Sequence, residues 1–193
     1  MRRMRIFVPI LALALLAGCS STKKLAESLD TRQNSGACPA AGSLYDAARI
    51  VDFASGSQDE NIYTNIAYTG EITDVRTFCR YTADHPLEAE VEVDFAFGKG
   101  PAAAGASHDF GYWVAVTRRS GKVLAKEHYT VQAAFKSGSK LAGTTERVNR
   151  ITIPRADETI AGSNFEIIVG FDLSDEQLAF NREGKRFRLD AGQ

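Results

Sequence analysis

From Leu44 onward the chain alternates apolar and polar residues with a period of two. The clearest run is LEAEVEVDFAF, residues 87–97. Leu87, Ala89, Val91, Val93, Phe95 and Phe97 fall on one side, with Glu88, Glu90, Glu92 and Asp94 on the other. Successive side chains of a strand point to opposite faces, so the pattern predicts a strand with one buried face and one solvated, acidic face. NFEIIVGFDL repeats it, with Phe165, Ile167, Val169, Phe171 and Leu173 in phase. DFGYWVAVT, residues 109–117, is apolar on both faces, as a central strand would be. KVLAKEHYTVQAAF, residues 122–135, keeps Val123, Ala125, Tyr129, Val131, Ala133 and Phe135 together. Because they sit inside such runs, Tyr112, Trp113 and Tyr129 are expected in the core. Arg118-Arg119-Ser120-Gly121 between the last two runs reads as a tight hairpin.

Two further runs change phase partway. In residues 65–79, Ile66, Tyr68 and Ile72 share one phase, then Val75 and Cys79 take the other, which predicts a bulge near Thr73-Asp74. Residues 145–153 switch in the same way between Val148 and Ile151. With an opening strand near 44–53 the total is about seven strands, joined by turns and almost without helical periodicity. The expected class is all-β: an antiparallel immunoglobulin-like sandwich, with a small β-barrel as the alternative. One short C-terminal helix is expected, capped by Ser174 with Gln177 completing a capping box and Leu178 packing inward. The glycine-rich piece GKGPAAAGA, residues 98–106, reads as a long flexible hairpin loop.

The first twenty residues follow different rules. Arg2, Arg3 and Arg5 precede an apolar segment running from Ile6 to Leu16 and interrupted by Pro9. That is the build of an export signal, and it is well short of the about 20 residues needed to cross a bilayer as a helix. Leu16-Ala17-Gly18-Cys19 resembles the lipobox of bacterial lipoproteins, where the signal is cut before the cysteine and the thiol carries a diacylglycerol. The resemblance implies that residues 1–18 are removed and that Cys19 is lipidated. Residues 19–37 then serve as a polar tether, and 38–193 form one domain. In such lipoproteins the new amino terminus is usually acylated too, and two anchoring signals already hold a protein stably at a membrane. Ser20 stands where many inner-membrane lipoproteins carry Asp, which by the same analogy implies the outer membrane, facing the periplasm.

Composition narrows the picture further. The chain has 23 Lys and Arg against 24 Asp and Glu, and loss of the three leader arginines makes the mature body mildly acidic. A nucleic-acid binder normally shows a basic surplus, so that class is excluded. With Cys19 assigned to lipid, Cys38 and Cys79 remain. An exported protein meets an oxidising compartment, which favours a disulfide between them over two free buried thiols. No CxxC spacing or adjacent histidine suggests a metal site.

Signals for chemistry are sparse. GxSxG, GK[ST] and HExxH are all absent, as is a DxDxDG-like calcium loop. No catalytic residue, metal ligand or cofactor is therefore assigned. His85 and His108 are placed in loops and His128 on the polar face of its strand. Asp59-Glu60, Asp157-Glu158 and Asp175-Glu176 read as solvated turns, and the acid ladder Glu88 to Asp94 as a solvated face. Glu127 breaks the apolar phase of its run, so the edge of the core or a bulge is expected to put it in water. Arg182, Lys185, Arg186 and Arg188 form a basic group suited to lipid phosphates or an anionic wall polymer.

Cys38-Pro39, and Gly170-Phe171-Asp172-Leu173 leading into Glu176 to Arg182, resemble segments of small lipoproteins of alphaproteobacteria. That resemblance implies the compartment and no activity. The expected function is a lipid-anchored, non-catalytic module that binds or scaffolds another envelope component, an envelope protein or a cell-wall polymer. A barrel carrying a lipid is the second expectation, and an enzyme built from sequence-distant residues the third.

Overall fold

A computed structural model of the chain describes residues 36–54, 63–81, 86–157 and 159–185. They form eight strands and a helix: β1 Ala40–Ser43, β2 Arg49–Phe53, β3 Ile66–Arg80, β4 Leu87–Lys99, β5 Ser107–Arg118, β6 Val123–Ala134, β7 Leu141–Ile153, β8 Phe165–Phe171 and α1 Asp175–Arg182. The strands divide into two four-stranded sheets, ordered β1-β8-β5-β6 and β2-β3-β4-β7. All pairs are antiparallel except β1 with β8. Return of β8 to lie beside β5, after β6 and β7, is a Greek-key connection. The sandwich is therefore the architecture formed. A closed barrel is not, because the two sheets remain separate.

The strongest alternation delivers the core. All six apolar residues of the β4 run are buried, none more than 3% exposed. Across from them lie Phe110, Tyr112, Val114 and Val116 of β5 and Ile167 and Val169 of β8. Phe97 stacks on Phe110 at 5.2 Å, and Phe95 meets Tyr112 edge-on at 5.1 Å. Burying such side chains stabilises by about 1.5–3 kcal/mol each. Both phase changes are bulges. The β3–β4 register shifts between Ile72 and Asp74. On β7, Val148 pairs with Val91 and Ile151 with Ala89, which leaves one extra residue in the Asn149-Arg150 step. Arg150 there adopts φ +62°, uncommon for a residue with a side chain.

Three expectations about single segments need correction, while the count of about seven strands comes out at eight among the described residues because the opening segment splits. β1 pairs in one sheet, a single 3-10 turn at Tyr45–Ala47 follows, and β2 pairs in the other. The loop after β4 is not a flexible hairpin, since β4 and β5 lie in different sheets. It is pinned along β3: the Gly100 and Ala102 N–H groups donate to Ala67 and Ile66, and Tyr68 Oη binds both the N–H and the carbonyl of Gly105. A Cβ at Gly100 would stand 2.1 Å from the Ile66 carbonyl oxygen, so only glycine fits. Helix α1 carries the expected capping box at Ser174 and Gln177, but its buried anchor is Phe180, not Leu178. Phe180 meets Phe53 at 6.1 Å and joins Val51 and Ile66. Finally, the β4 acids are not merely solvated. Arg76 of β3 bridges Asp94 at 2.6 Å and Glu92 at 3.4 Å, and Arg147 of β7 reaches Glu90 and Glu92. Hydrogen bonds from Arg76 and then Thr145 hold the Asp94 carboxyl below the usual carboxylate range.

Cys38 and Cys79 stand at disulfide distance, with Cα atoms 5.6 Å apart. They join the segment before β1 to the end of β3, and so one sheet to the other. Among the described residues, no helix is long and apolar enough to cross a membrane.

Candidate functional site

Strand β5 is covered on its inner side by the opposite sheet, yet its outer side also carries apolar residues. Parity explains which is which. Phe110, Tyr112, Val114 and Val116 point inward, so Trp113 points outward, opposite His128 of β6 and Gly170 of β8. This corrects the expectation that Trp113 belongs to the core. Tyr112 does belong there, and burial pushes its phenol up to about 12.

The indole lies across Gly170. A Cβ at that position would approach Trp113 Cζ2 to 2.5 Å, so the absence of a side chain lets the ring settle on the sheet. Its N–H donates to the Phe171 carbonyl at 3.1 Å. With the polar edge satisfied internally, the rest of the ring serves as an apolar floor. The Lys126 ammonium stands over it, 4.5 Å from the ring centre. Around this floor the 3-10 turn, the end of β8 and α1 raise walls that include Leu44, Tyr45, Leu173 and Leu178, enclosing a groove of about 450 Å³. Leu44 and Tyr45 are 47% and 65% exposed. Asn181 holds the helix in place by donating to the carbonyls of Asp46 and Arg49.

Two pairs of polar side chains stand at the rim of the groove. His128 Nδ1 lies 2.9 Å from Asp172, and Arg182 lies 3.5 Å from Asp46. Asp172 is itself placed by its N–H, which donates to the Gly111 carbonyl. An apolar floor and walls with paired polar side chains at the rim suit the binding of an apolar group.

The remaining candidates are scattered. His108 is on β5, not in a loop, and its Nε2 is 2.7 Å from Asp52. Gln177 of α1 donates to the same carboxylate, and Tyr68 stacks on the imidazole at 4.3 Å. That cluster clamps β2, β3, β5 and α1 together. His108 faces the core side and His128 the outer side of one sheet, so the two do not converge. Glu127 is exposed on the edge strand β6 and accepts a hydrogen bond from Tyr129. Burial, then that bond, raises the Tyr129 phenol to about 12. Tyr129, half-buried, lines with Val114, Val116 and Ile151 a smaller cleft of about 210 Å³ between β6 and β7.

Of the basic group, Arg182 pairs with Asp46 and Lys185 with Glu183 at 2.6 Å, while Arg186 and Arg188 lie outside the described residues. Cys19 and His85 also lie outside them. Among the described residues no cluster of three or more His, Cys, Asp or Glu is arranged to hold a metal. Sequence reasoning passed over the groove because it joins residues 44–47, 113, 126 and 171–182, and no local pattern links them. The single usable signal was the doubly apolar strand around a lone tryptophan. Comparison of the chain with protein-family models, with curated proteins and with solved structures finds no match to any of them.

Proposed function

We propose that the chain is a lipid-anchored, non-catalytic binding module of the bacterial envelope. Cys19 ties it to the membrane, and the sandwich presents the Trp113 groove to another envelope component. The observation that carries the binding half is the groove itself. A half-buried indole, with its N–H already bonded, forms an apolar floor between exposed Leu44 and Tyr45. Apolar anchors with a polar rim are the composition of a binding hot spot. Leu16-Ala17-Gly18-Cys19 after a short charged leader supports the anchoring half.

Each half has its own test. Cells labelled with a fatty-acid analogue incorporate it into this protein, and Cys19→Ser abolishes the label. Unchanged label in that variant overturns the anchor. A photoreactive side chain in place of Tyr45 forms a discrete adduct in the intact envelope, and Leu178→Glu suppresses it. The same probe at Phe78, exposed on the outer face of the other sheet, forms none. Equal adducts from both positions would remove the groove from the function.

A further inference from the structure

We infer that the groove receives an acidic, apolar segment of a partner protein: a leucine or aromatic side chain with a carboxylate beside it. This rests on the reading of the sandwich as a binding module and specifies its partner's chemistry. Size comes first. A volume of about 450 Å³ falls within the range of about 300–1,000 Å³ in which proteins bind compact ligands, and the lining is mostly apolar.

Charge then selects the occupant. Arg182 is ion-paired with Asp46, and Asp172 is in hydrogen-bond contact with the His128 imidazole. Lys126 is the exception. Its ammonium rests on the indole face and makes no ion pair among the described residues. A carboxylate arriving with an apolar side chain gives that ammonium a charge-assisted hydrogen bond, which is stronger than contact with a partly solvated ring. The ring face that Lys126 vacates becomes the seat for the apolar group. One ligand thus satisfies both features.

Other occupants fit less well. Neutral sugar hydroxyls bring no opposite charge to the Lys126 ammonium, which a carboxylate does. An anionic membrane is attracted by clusters of cations, whereas this groove offers one unmatched charge.

Trp113 is the only tryptophan in the chain, so its emission reports occupancy directly. The test is to pan a random peptide library against the full chain, with a Lys126→Glu variant of unchanged circular dichroism as counter-target. Enriched peptides are expected to carry Asp or Glu within two residues of Leu, Phe or Tyr and to shift Trp113 emission saturably. They bind Lys126→Glu at least about tenfold more weakly, and Lys126→Arg retains most of the affinity. The inference is overturned if no peptide is enriched, if enriched peptides lack carboxylates, or if reversing the charge at Lys126 leaves binding unchanged. It is equally overturned if phosphatidylglycerol vesicles or peptidoglycan fragments shift the emission and the peptides do not. A Tyr45 adduct combined with basic or uncharged peptides would sink this inference and leave the module reading intact. Failure of both would sink both.

Discussion

At the scale of single residues, the groove depends on one missing side chain. Trp113 projects from the outer face of β5, where a large ring would ordinarily stand away from the sheet. Gly170 on the neighbouring strand removes the obstacle, and the ring lies down over the backbone with Ala47 beside it. That posture brings the indole N–H within 3.1 Å of the Phe171 carbonyl. A methyl group at 170 would sit under 3 Å from two ring atoms and from the Ala47 Cβ, too close for either to remain. Gly170→Ala is therefore expected to lift the indole, break its hydrogen bond and open the floor of the groove. Emission of the sole tryptophan moves to longer wavelength as water reaches the ring. Overpacking of this kind costs about 1–3 kcal/mol, read as a lower urea midpoint. Unchanged emission with an unchanged midpoint would show that the ring does not rest on Gly170.

Among the elements, the outer faces of the two sheets differ in kind. One carries the apolar groove, and the other carries interleaved charge across β3, β4 and β7. Asp94 sits at the centre of that lattice, bonded by Arg76 and by Thr145. A carboxyl whose pKa is depressed on folding adds stability that is present above its unfolded value of about 3.9. The contribution disappears as pH falls through the lower, folded value. Asp94→Asn should thus lower the urea midpoint at neutral pH, and wild type and variant should converge in acid, below about pH 4. A constant difference across pH would show that the effect is packing and not charge.

The acids of that lattice were legible as one face of β4, because period two fixes relative phase within a strand. Both bulges were legible for the same reason, as slips of phase at 73–74 and 148–151. Which arginines meet those acids was not, since Arg76 and Arg147 arrive through register set by distant turns. Phase also fails where both faces of a strand are apolar, and Trp113 was misplaced on β5 for that reason. In α1 the capping box pointed to Leu178 as the inward residue, whereas Phe180 is the one that is buried. Only the tertiary neighbour Phe53 decides between them.

For the whole molecule, the question is what holds two sheets together where their edges are weakest. β1 has four residues and, among the described residues, pairs with β8 alone, in parallel, the less stable arrangement. Two clasps hold the segment in front of it. Tyr81 Oη donates to the Ala37 carbonyl at 2.8 Å and accepts from the Gly162 N–H at 2.6 Å. Beside it, Cys38 and Cys79 span from this segment to β3 in the other sheet. A crosslink across 41 residues of sequence restricts the unfolded chain by about 4 kcal/mol in the loop-entropy picture. Native disulfides of this size cost about 2–5 kcal/mol when removed. Replacing both cysteines by alanine avoids leaving a lone thiol and should lower stability by an amount in that range. Loss should be local as well as global. Amide protons of β1 are expected to exchange quickly in the double variant, while those of β4 and β5, deep in the sandwich, stay protected up to the reduced global stability. Wild-type protein treated with reductant should follow the double variant. If reduction alters neither the urea midpoint nor β1 exchange, the hydrogen bonds of Tyr81 and the β8 ladder hold that edge without help from sulfur.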